Sequence, residues 1–440
     1  MLRLPHRRRG RRGRARGALL VLLVTVALAD SATLAGAAVL HARHLERVSG
    51  TNAVTAPIVT SERRTGPFTA TIDYASLFSA EGHQVSSEIA WDDDWFFEDP
   101  TSYNHELAHA CAVLSAVANA ESAYYQQGST SPAYAEHAFA ELGFEEVSTT
   151  SYRYRSEVVD EVLGLLDGTD VVAYTVATKH VCSSATGEER LLTVVVVRGS
   201  YGSEWLSNAK IEDASDEAGS GDHLGFTLAA EEIVADLEAR AAETDPGVGR
   251  AYLFCGHSRG AAVATLLASY ADGAMGPSGT RADAIASADS VCAYGLATPN
   301  CTSATDARTA RYDNIFNVLN PSDVVTMLPP AAWGYGRYGR DVWLPQTGDD
   351  ALSDAMRASY EASMGVECPV RAEDRALAEG LVEDVTAAVG SLEELFSPGG
   401  LLALAQACVS ADVPQLLASH YPNSYIAWLD AAAPEDLLIG

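Results

Sequence analysis

The stretch Gly256-His257-Ser258-Arg259-Gly260 has residue types and spacing suited to nucleophilic catalysis. An apolar segment precedes it and a helix-forming segment follows it, which is the context of a G-x-S-x-G turn that exposes a reactive serine. Such a turn strains the serine backbone, and side chains at positions 256 and 260 would collide with the neighbouring strand and helix. Ser258 at a helix N-terminus would also face the positive end of the helix dipole, which favours a developing anion.

A serine nucleophile needs a general base, and the base needs an acid to orient it. In chains with this turn the order is serine, acid, histidine. His420 is the only one of the eleven histidines that follows Ser258, so it is the predicted base. Asp323 is the predicted acid, because it follows a short apolar strand and would lie at the sheet edge where ligands bind. A turn-forming role for Asp323 and a surface position for His420 are the structural alternatives.

The tetrahedral intermediate of acyl transfer needs two backbone N–H groups to bind its oxyanion. One is expected from Arg259, the residue that follows the nucleophile. The other is expected from the loop after an earlier strand, where the run LLTVVVV ends in Arg198-Gly199-Ser200. Ser200 is the candidate there, and its hydroxyl would be an additional donor.

A second motif, His105-Glu106-Leu107-Ala108-His109, has the H-E-x-x-H spacing of zinc peptidases. The sequence offers no clear third ligand, so a metal site is the minor alternative. At 100° per residue, Leu107 and the apolar residues that follow it lie on one face, and the two histidines lie almost opposite. We therefore expect an ordinary helix start, with Asn104 as N-cap and the histidines toward solvent or polar neighbours.

Strands and helices are predicted to alternate along the chain, which favours an α/β fold with a mostly parallel central sheet and helices on both faces. The run LLTVVVV is typical of a strand covered on both faces. The predicted strands are Val171–Val181, Leu191–Val197, Ala251–Cys255, Val291–Leu296 and Ile315–Leu319, and the predicted helices are Asn104–Ala120, Leu224–Ala242 and Ser258–Tyr270.

The 440-residue chain has a net charge of −30, but its first 16 residues contain eight Arg and no acidic residue. The remaining 21 basic and 59 acidic side chains give a net charge of −38, which disfavours nucleic acid and anionic membrane surfaces as partners. A basic flank before an apolar run, as in residues 17–40, is typical of an export signal. Ala27-Leu28-Ala29 is compatible with cleavage of a signal peptide, and the whole run is compatible with a membrane anchor.

The predicted domain organisation follows from these composition shifts. Residues 1–16 are a basic cytoplasmic tail, 17–40 a signal peptide or membrane anchor, and 41–66 a polar linker. Residues 67–440 form the catalytic domain, with a helical insertion at about 346–419. Either fate of residues 17–40 places the body of the chain outside the cytoplasm, anchored or secreted. The seven cysteines are an odd number; Cys368 and Cys408 are a possible disulfide pair.

Several segments resemble the class 3 lipases, the α/β-hydrolase family of fungal triacylglycerol lipases and their bacterial relatives, in the order that family shows. YNHELA also resembles the N-terminal helix of bacterial members. The segments are VVVVRGSYGSEWLSN, DHLGF, GHSRG, YGLATPN, NPSDVVTMLPPAAWGYGRYG and the region around His420, and together they span residues 190–430.

The resemblance implies an exported bacterial lipase or esterase with Ser258, Asp323 and His420 as triad and Ser200 and Arg259 as oxyanion residues. Two departures stand out: Arg259 replaces the usual Leu, and residues 345–419 are longer than in compact fungal members. The predicted reaction is hydrolysis of carboxylic esters, chiefly of acyl lipids, without a metal or organic cofactor. The alternatives are a zinc peptidase at HELAH and a catalytically silent cell-surface binding protein. Oligomeric state and acyl chain length are not encoded in any recognisable pattern.

Overall fold

The computed structural model describes most of the chain beyond residue 64. The described ranges are 65–76, 83–127, 133–150, 172–199, 224–244, 247–271, 288–395 and 412–440, with residues 54–57 and a few isolated positions. Within these ranges, no helix combines the length and apolar character needed to cross a membrane. The predicted signal or anchor at residues 17–40 lies outside the described residues.

Among the described residues, nine strands form the main sheet and two form a separate hairpin. The strands are β1 (Val54–Pro57), β2 (Phe68–Ala75), β3 (Gln84–Trp91), β4 (Glu146–Thr150), β5 (Tyr174–Cys182), β6 (Glu189–Val197), β7 (Gly249–His257), β8 (Val291–Leu296), β9 (Ile315–Leu319), β10 (Arg340–Trp343) and β11 (Leu438–Ile439).

The main sheet has the strand order β1-β4-β5-β6-β7-β8-β9-β10-β11. Its centre, from β6 to β10, is parallel, and antiparallel pairs flank this centre on both sides. Six of the nine strands run in one direction, which agrees with the predicted mostly parallel α/β sheet. The carboxyl ends of β6, β7 and β9 therefore meet at one edge, and the segments that follow them carry the predicted site residues.

The helices of the described residues lie on both faces of the sheet or cover its carboxyl edge. They are α1 (His105–Gln127), α2 (Tyr134–Glu141), α3 (Leu224–Glu243), α4 (Arg259–Ala271), α5 (Ala351–Met364), α6 (Asp374–Ala388), α7 (Leu392–Leu395), α8 (Val413–Leu416) and α9 (Pro422–Ala431).

Strand β6 shows why both faces are covered. Val194 and Val196 belong to the core that contains α1 and the β2–β3 hairpin, whereas Val195 and Val197 belong to the core that contains α3 and α4. Successive side chains of a strand point to opposite faces, so a continuous apolar run requires cover on both. The α/β architecture predicted from LLTVVVV is confirmed.

The predicted helical insertion contains α5 to α8 within the described residues. Ala378 of α6 and Leu416 of α8 form a small apolar cluster with Val324 and Val325, directly after Asp323. The insertion thus packs against the loop that carries the predicted acid.

Two expectations need correction. Val54–Pro57, part of the predicted linker, pairs with β4 as an edge strand of the main sheet. Cys368 is a free, buried thiol in this structure, so the suggested disulfide with Cys408, which lies outside the described residues, is not formed. The β2–β3 hairpin was not predicted. Exposed and buried residues alternate along both of its strands, which is the pattern of a strand with one covered face.

Candidate active site

Ser258 lies in the turn between β7, which ends at His257, and α4, which begins at Arg259. Its φ of 58° is in the left-handed region, which a non-glycine residue adopts only at a cost. The Ser258 amide donates to the Leu296 carbonyl oxygen of β8 at 2.8 Å, which holds the turn against the sheet. The strained serine backbone predicted from the sequence is present.

The flanking glycines allow this turn because there is no room for a side chain. A Cβ at Gly256 would lie 2.5 Å from the Gly260 carbonyl carbon and 2.8 Å from the Val197 oxygen. A Cβ at Gly260 would lie 2.9 Å from the Arg198 carbonyl carbon and would overlap the Val197 carbonyl. Both collisions were predicted from the motif, and they show that β6, the turn and α4 are in backbone contact.

The predicted triad residues come together at this edge of the sheet. His420 Nε2 lies 3.0 Å from Ser258 Oγ, and His420 Nδ1 lies 2.9 Å from Asp323 Oδ2. A carboxylate only accepts hydrogen bonds, so Nδ1 carries the hydrogen, and the Nε2 lone pair of the neutral ring is directed at the serine hydroxyl. All three side chains are buried. This arrangement can remove a proton from Ser258 and return it to a leaving group.

Asp323 is completely buried, and both of its carboxylate oxygens accept hydrogen bonds in addition to the one from His420. The Val325 amide donates to Oδ1 at 2.9 Å, and the Tyr425 hydroxyl donates to Oδ2 at 2.7 Å. The Tyr425 oxygen in turn accepts from the Asn320 amide at 3.1 Å. These donors satisfy both carboxylate oxygens and fix the orientation of the carboxylate. Burial, followed by the charge of Asp323, raises the pKa of Tyr425 well above its usual value, so its hydroxyl stays protonated.

His257 supports the segment that carries the base. Its Nε2 lies 2.6 Å from the His420 carbonyl oxygen, and a carbonyl only accepts, so Nε2–H is the donor. Burial lowers the pKa of His257 well below its usual value, with the nearby His420 as a second cause. The His257 ring is therefore neutral and donates a hydrogen bond to the backbone carbonyl of His420, the predicted base.

Of the predicted oxyanion residues, Arg259 is described and Ser200 lies outside the described residues. Arg259 is the first residue of α4, and the first N–H groups of a helix are not used by the helix's own hydrogen bonds. Its side chain is buried. An arginine side chain at this position therefore leaves the backbone donor in place.

The HELAH motif begins α1, and Asn104 Oδ1 caps it by accepting from the Leu107 amide at 3.0 Å. His105 Nε2 lies 2.9 Å from the Leu429 carbonyl oxygen, and His109 Nε2 lies 2.9 Å from Asp430 Oδ1. Both histidines thus contact α9. Of the two positions expected for them, toward solvent or toward polar neighbours, the structure shows the second. Among the described residues no group of three or more His, Cys, Asp or Glu side chains is arranged to hold a metal ion.

Helix α1 is buried on all sides from Leu107 to Glu121. His109 is buried, as are the polar residues Ser115, Asn119 and Glu121 farther along the helix. The reason is topological, since α1 lies between the main sheet, the β2–β3 hairpin and α9, and so is covered on all sides. A helical periodicity argument assumes one solvent face, which this helix lacks.

Tyr425, Asn320 and His257 are candidate site residues that the sequence did not indicate. Each supports the acid or the base through a contact between segments far apart in the chain. The only sequence signals are the tyrosine five residues after His420 and the asparagine three residues before Asp323. Neither signal specifies a hydrogen bond.

Comparison with known proteins gives one family match. Residues 194–333 match the family model described as Lipase (class 3). No curated protein sequence matches the chain significantly. The matched segment includes Ser258 and Asp323, and His420 lies beyond it.

The solved structures similar to this chain include several fungal lipases. A triacylglycerol lipase described as having a serine protease triad at its catalytic centre is 17% identical, covers 56% of this chain and 83% of its own, and has a TM-score of 0.39. The Rhizomucor miehei triacylglyceride lipase is 18% identical, with 55% and 82% covered and a TM-score of 0.38. A mutant of MDLA from Penicillium cyclopium is 23% identical, with 57% and 83% covered and a TM-score of 0.36.

The α/β sheet and the class 3 lipase match together define a carboxylic ester hydrolase. The match to the family is carried by residues 194–333, from the end of β6 to the turn after Asp323.

Proposed function

We propose that this protein is an exported serine hydrolase that cleaves carboxylic esters, chiefly of acyl lipids, through a Ser258–His420–Asp323 triad. One observation carries the proposal: the serine hydroxyl, both imidazole nitrogens and a buried carboxylate form one continuous hydrogen-bonded chain, with distances of 3.0 and 2.9 Å. The class 3 lipase match supports ester hydrolysis as the reaction. No residue in this scheme calls for a metal or an organic cofactor.

In the proposed mechanism Ser258 Oγ attacks the ester carbonyl carbon while His420 Nε2 takes the hydroxyl proton. Asp323 accepts the hydrogen bond from Nδ1–H and stabilises the imidazolium that forms. The amides of Arg259 and Ser200 bind the tetrahedral oxyanion. The intermediate collapses when His420 gives its proton to the leaving alcohol, which leaves an acyl-serine.

Water then completes the proposed cycle. His420 removes a proton from the water, the resulting hydroxide attacks the acyl carbonyl, and a second tetrahedral intermediate forms at the same oxyanion donors. Its collapse returns the proton to Ser258 Oγ and releases the carboxylic acid. The net reaction consumes one ester and one water, and yields one alcohol and one acid.

The test is a hydrolysis screen over p-nitrophenyl and glycerol esters of graded chain length, with Ser258→Ala as control. A fluorophosphonate probe should label the wild-type protein and not the Ser258→Ala variant. Wild-type protein that is neither labelled nor active on any ester would support the silent binding protein instead. Activity that survives Ser258→Ala and disappears with a chelator would support the zinc peptidase alternative at HELAH.

The proposed export rests on the basic residues 1–16 followed by the apolar residues 17–40. We expect the catalytic body outside the cytoplasm, either anchored by this segment or secreted after its removal. Fractionation followed by N-terminal sequencing separates the two forms: a mature protein starting near Asp30 in the medium indicates cleavage, and salt-resistant membrane association indicates an anchor. Catalytic protein retained in the cytoplasm would contradict both.

A further inference from the structure

The chain leaves strand β6 on the side of Ser258 where an oxyanion donor is needed, and its exit is fixed in two steps. The Arg198 amide makes the last bond to the sheet and donates to the Ala173 carbonyl oxygen at 2.9 Å. The next amide, that of Gly199, donates instead to the side-chain oxygen Oδ1 of Asn119 at 3.2 Å. Backbone pairing with the sheet thus ends at Arg198, and the next amide donates to a single side chain of α1.

The peptide at Gly199 lies directly against the nucleophile turn. A Cβ at this position would be 2.6 Å from the His257 carbonyl oxygen and 3.5 Å from Ser258 Cβ. Its orientation therefore sets the wall beside Ser258. A rotation of this peptide would move the following amide, which the proposed mechanism uses to bind the oxyanion.

Asn119 is well placed to hold that orientation. The residue is buried in the fifth turn of α1, where water cannot replace its hydrogen bond. The helix itself is tied at its start to α9 through His105 and Leu429. Helix α9 also carries Tyr425, which donates to Asp323. One rigid helix therefore links the oxyanion side and the acid side of the site.

We propose that Asn119 is a positioning residue for ester hydrolysis: it fixes the Gly199 amide and thereby the backbone wall beside Ser258. This inference rests on the proposed serine hydrolase function. It also gives the helix that begins with HELAH a functional task that does not involve a metal. Asn119 touches no reacting atom, so its effect is transmitted through the Gly199 peptide.

The test compares Asn119→Leu and Asn119→Ala with Ser115→Ala. Ser115 is one turn earlier on the same helix, is also buried, and bonds only its own helix through the Cys111 carbonyl oxygen. We expect kcat to fall about 10- to 100-fold in both Asn119 variants, below the loss expected from deleting an oxyanion donor outright, with KM little changed. Ser115→Ala should keep wild-type kcat.

Two further measurements separate positioning from stability. The affinity of an alkyl boronic acid, which forms a tetrahedral adduct on the active serine, should fall in proportion to kcat across the variants. Amide hydrogen exchange should speed up at Gly199 in Asn119→Leu, while Arg198 keeps its protection through Ala173. Asn119→Asp, which retains the acceptor oxygen, should restore protection at Gly199.

Each outcome decides the question. Normal kcat and normal boronic acid affinity in folded Asn119→Leu would overturn the inference and leave the triad standing. Failure of both Asn119 variants to fold, with Ser115→Ala folded, would assign Asn119 to stability alone and overturn it as well. Wild-type protein without esterase activity or boronic acid binding would instead refute the proposed function.

Discussion

The two halves of the candidate site are built by different means. The nucleophile turn is local: within Gly256–Gly260, two positions without side chains let β6, β7 and α4 come into backbone contact. The acid–base half joins Asp323 to His420, 97 residues later, and is held by side chains that donate hydrogen bonds. Tyr425 and His257 are the donors nearest to the pair.

This difference separates two kinds of sensitivity. In the nucleophile turn, an added methyl group has no space, so steric overlap is the expected mode of failure. In the acid–base half, the removal of one hydroxyl leaves the shape unchanged and deletes a donor, so a weaker electrostatic effect is expected. Mutations of the two halves should therefore differ in size and in the measurement that detects them.

The largest loss of kcat is expected at Ser258 and His420, where the two halves of the site meet. Ser258→Ala and His420→Ala should each lower kcat by about 10⁴- to 10⁶-fold, and the double variant should be little worse, because the members of a triad act as a unit. Steady-state kinetics on a p-nitrophenyl ester, with the protein concentration checked by absorbance, measures this. Additive losses in the double variant would show that the two residues do not share a step.

The next effect tests the steric half. Gly256→Ala should lower kcat by about 100-fold or more, because a displaced nucleophile loses its near-attack geometry. It should also lower the free energy of unfolding by about 1–3 kcal/mol through overpacking. Thermal unfolding and active-serine titration with a fluorophosphonate measure the two losses separately.

The control for this glycine is Gly380 in α6. No atom outside its local chain lies within 4 Å of a Cβ built there. Gly380→Ala should stabilise the protein by about 1 kcal/mol or less, because alanine favours a helix interior over glycine, with kcat unchanged. A Gly256→Ala variant that behaved like Gly380→Ala would remove the steric account of the turn.

The sequence could predict the local half because adjacent residues encode it. G-x-S-x-G, a preceding apolar strand and a following helix are sufficient to place Ser258 and both glycines. Strands Val291–Leu296 and Ile315–Leu319 were predicted with the bounds that the structure shows, since continuous apolar runs bounded by turns define buried strands. His420 followed from chain order, as the only histidine after Ser258, and Asp323 from its position after a short apolar strand.

The remote half could not be predicted in the same way. The bond from Tyr425 to Asp323 depends on how α9 packs against the loop after β9, and no periodicity reports such packing. The same holds for Asn119, whose partner Gly199 is 80 residues away. Burial of α1 on all sides was missed because it results from the hairpin and α9, which cover the helix from distant parts of the chain.

A smaller effect tests the hydrogen-bonded half. Tyr425→Phe removes the donor to Asp323 Oδ2 and leaves the Asn320 amide without its acceptor. We expect kcat to fall about 10-fold and the free energy of unfolding to fall by about 1–3 kcal/mol, since a buried polar group loses its partner. Steady-state kinetics and urea unfolding provide the two values.

The matched control is Tyr360→Phe. Tyr360 is also buried, lies in α5 next to α9, and its hydroxyl makes no hydrogen bond within the described part of the chain. Its loss should leave kcat unchanged and change stability by less than about 1 kcal/mol. Equal losses in the two tyrosine variants would assign the Tyr425 effect to packing and not to the bond with Asp323.

The smallest effect on activity is expected at Glu121, a buried carboxyl group of α1 outside the triad. The Ala135 amide donates to its Oε2 at 3.0 Å, whereas Oε1 has no hydrogen-bond partner among the residues that the structure describes. Burial raises the pKa of Glu121 to about 7 from an ordinary value of 4.5. At Asp323, in contrast, hydrogen-bond donors reach both carboxylate oxygens. A buried carboxyl with one unsatisfied oxygen favours the protonated form.

The sign of the resulting pH dependence follows from proton binding. Between pH 4.5 and about 7 the folded protein holds the Glu121 proton and the unfolded chain has released it, so stability falls as pH rises through this window. At about 1.4 kcal/mol per pKa unit, the stability lost by pH 8 is roughly 3 kcal/mol.

Glu121→Gln imitates the protonated form and retains the acceptor for the Ala135 amide. Its Tm should match that of the wild type at pH 5 and exceed it at pH 8. At each of these pH values the variant and the wild type should have the same kcat. Thermal unfolding at four pH values from 5 to 8 measures the difference, in which other titrating groups cancel. Parallel Tm curves for the two proteins would show that Glu121 titrates normally and that its environment supplies the donors that Asp323 has.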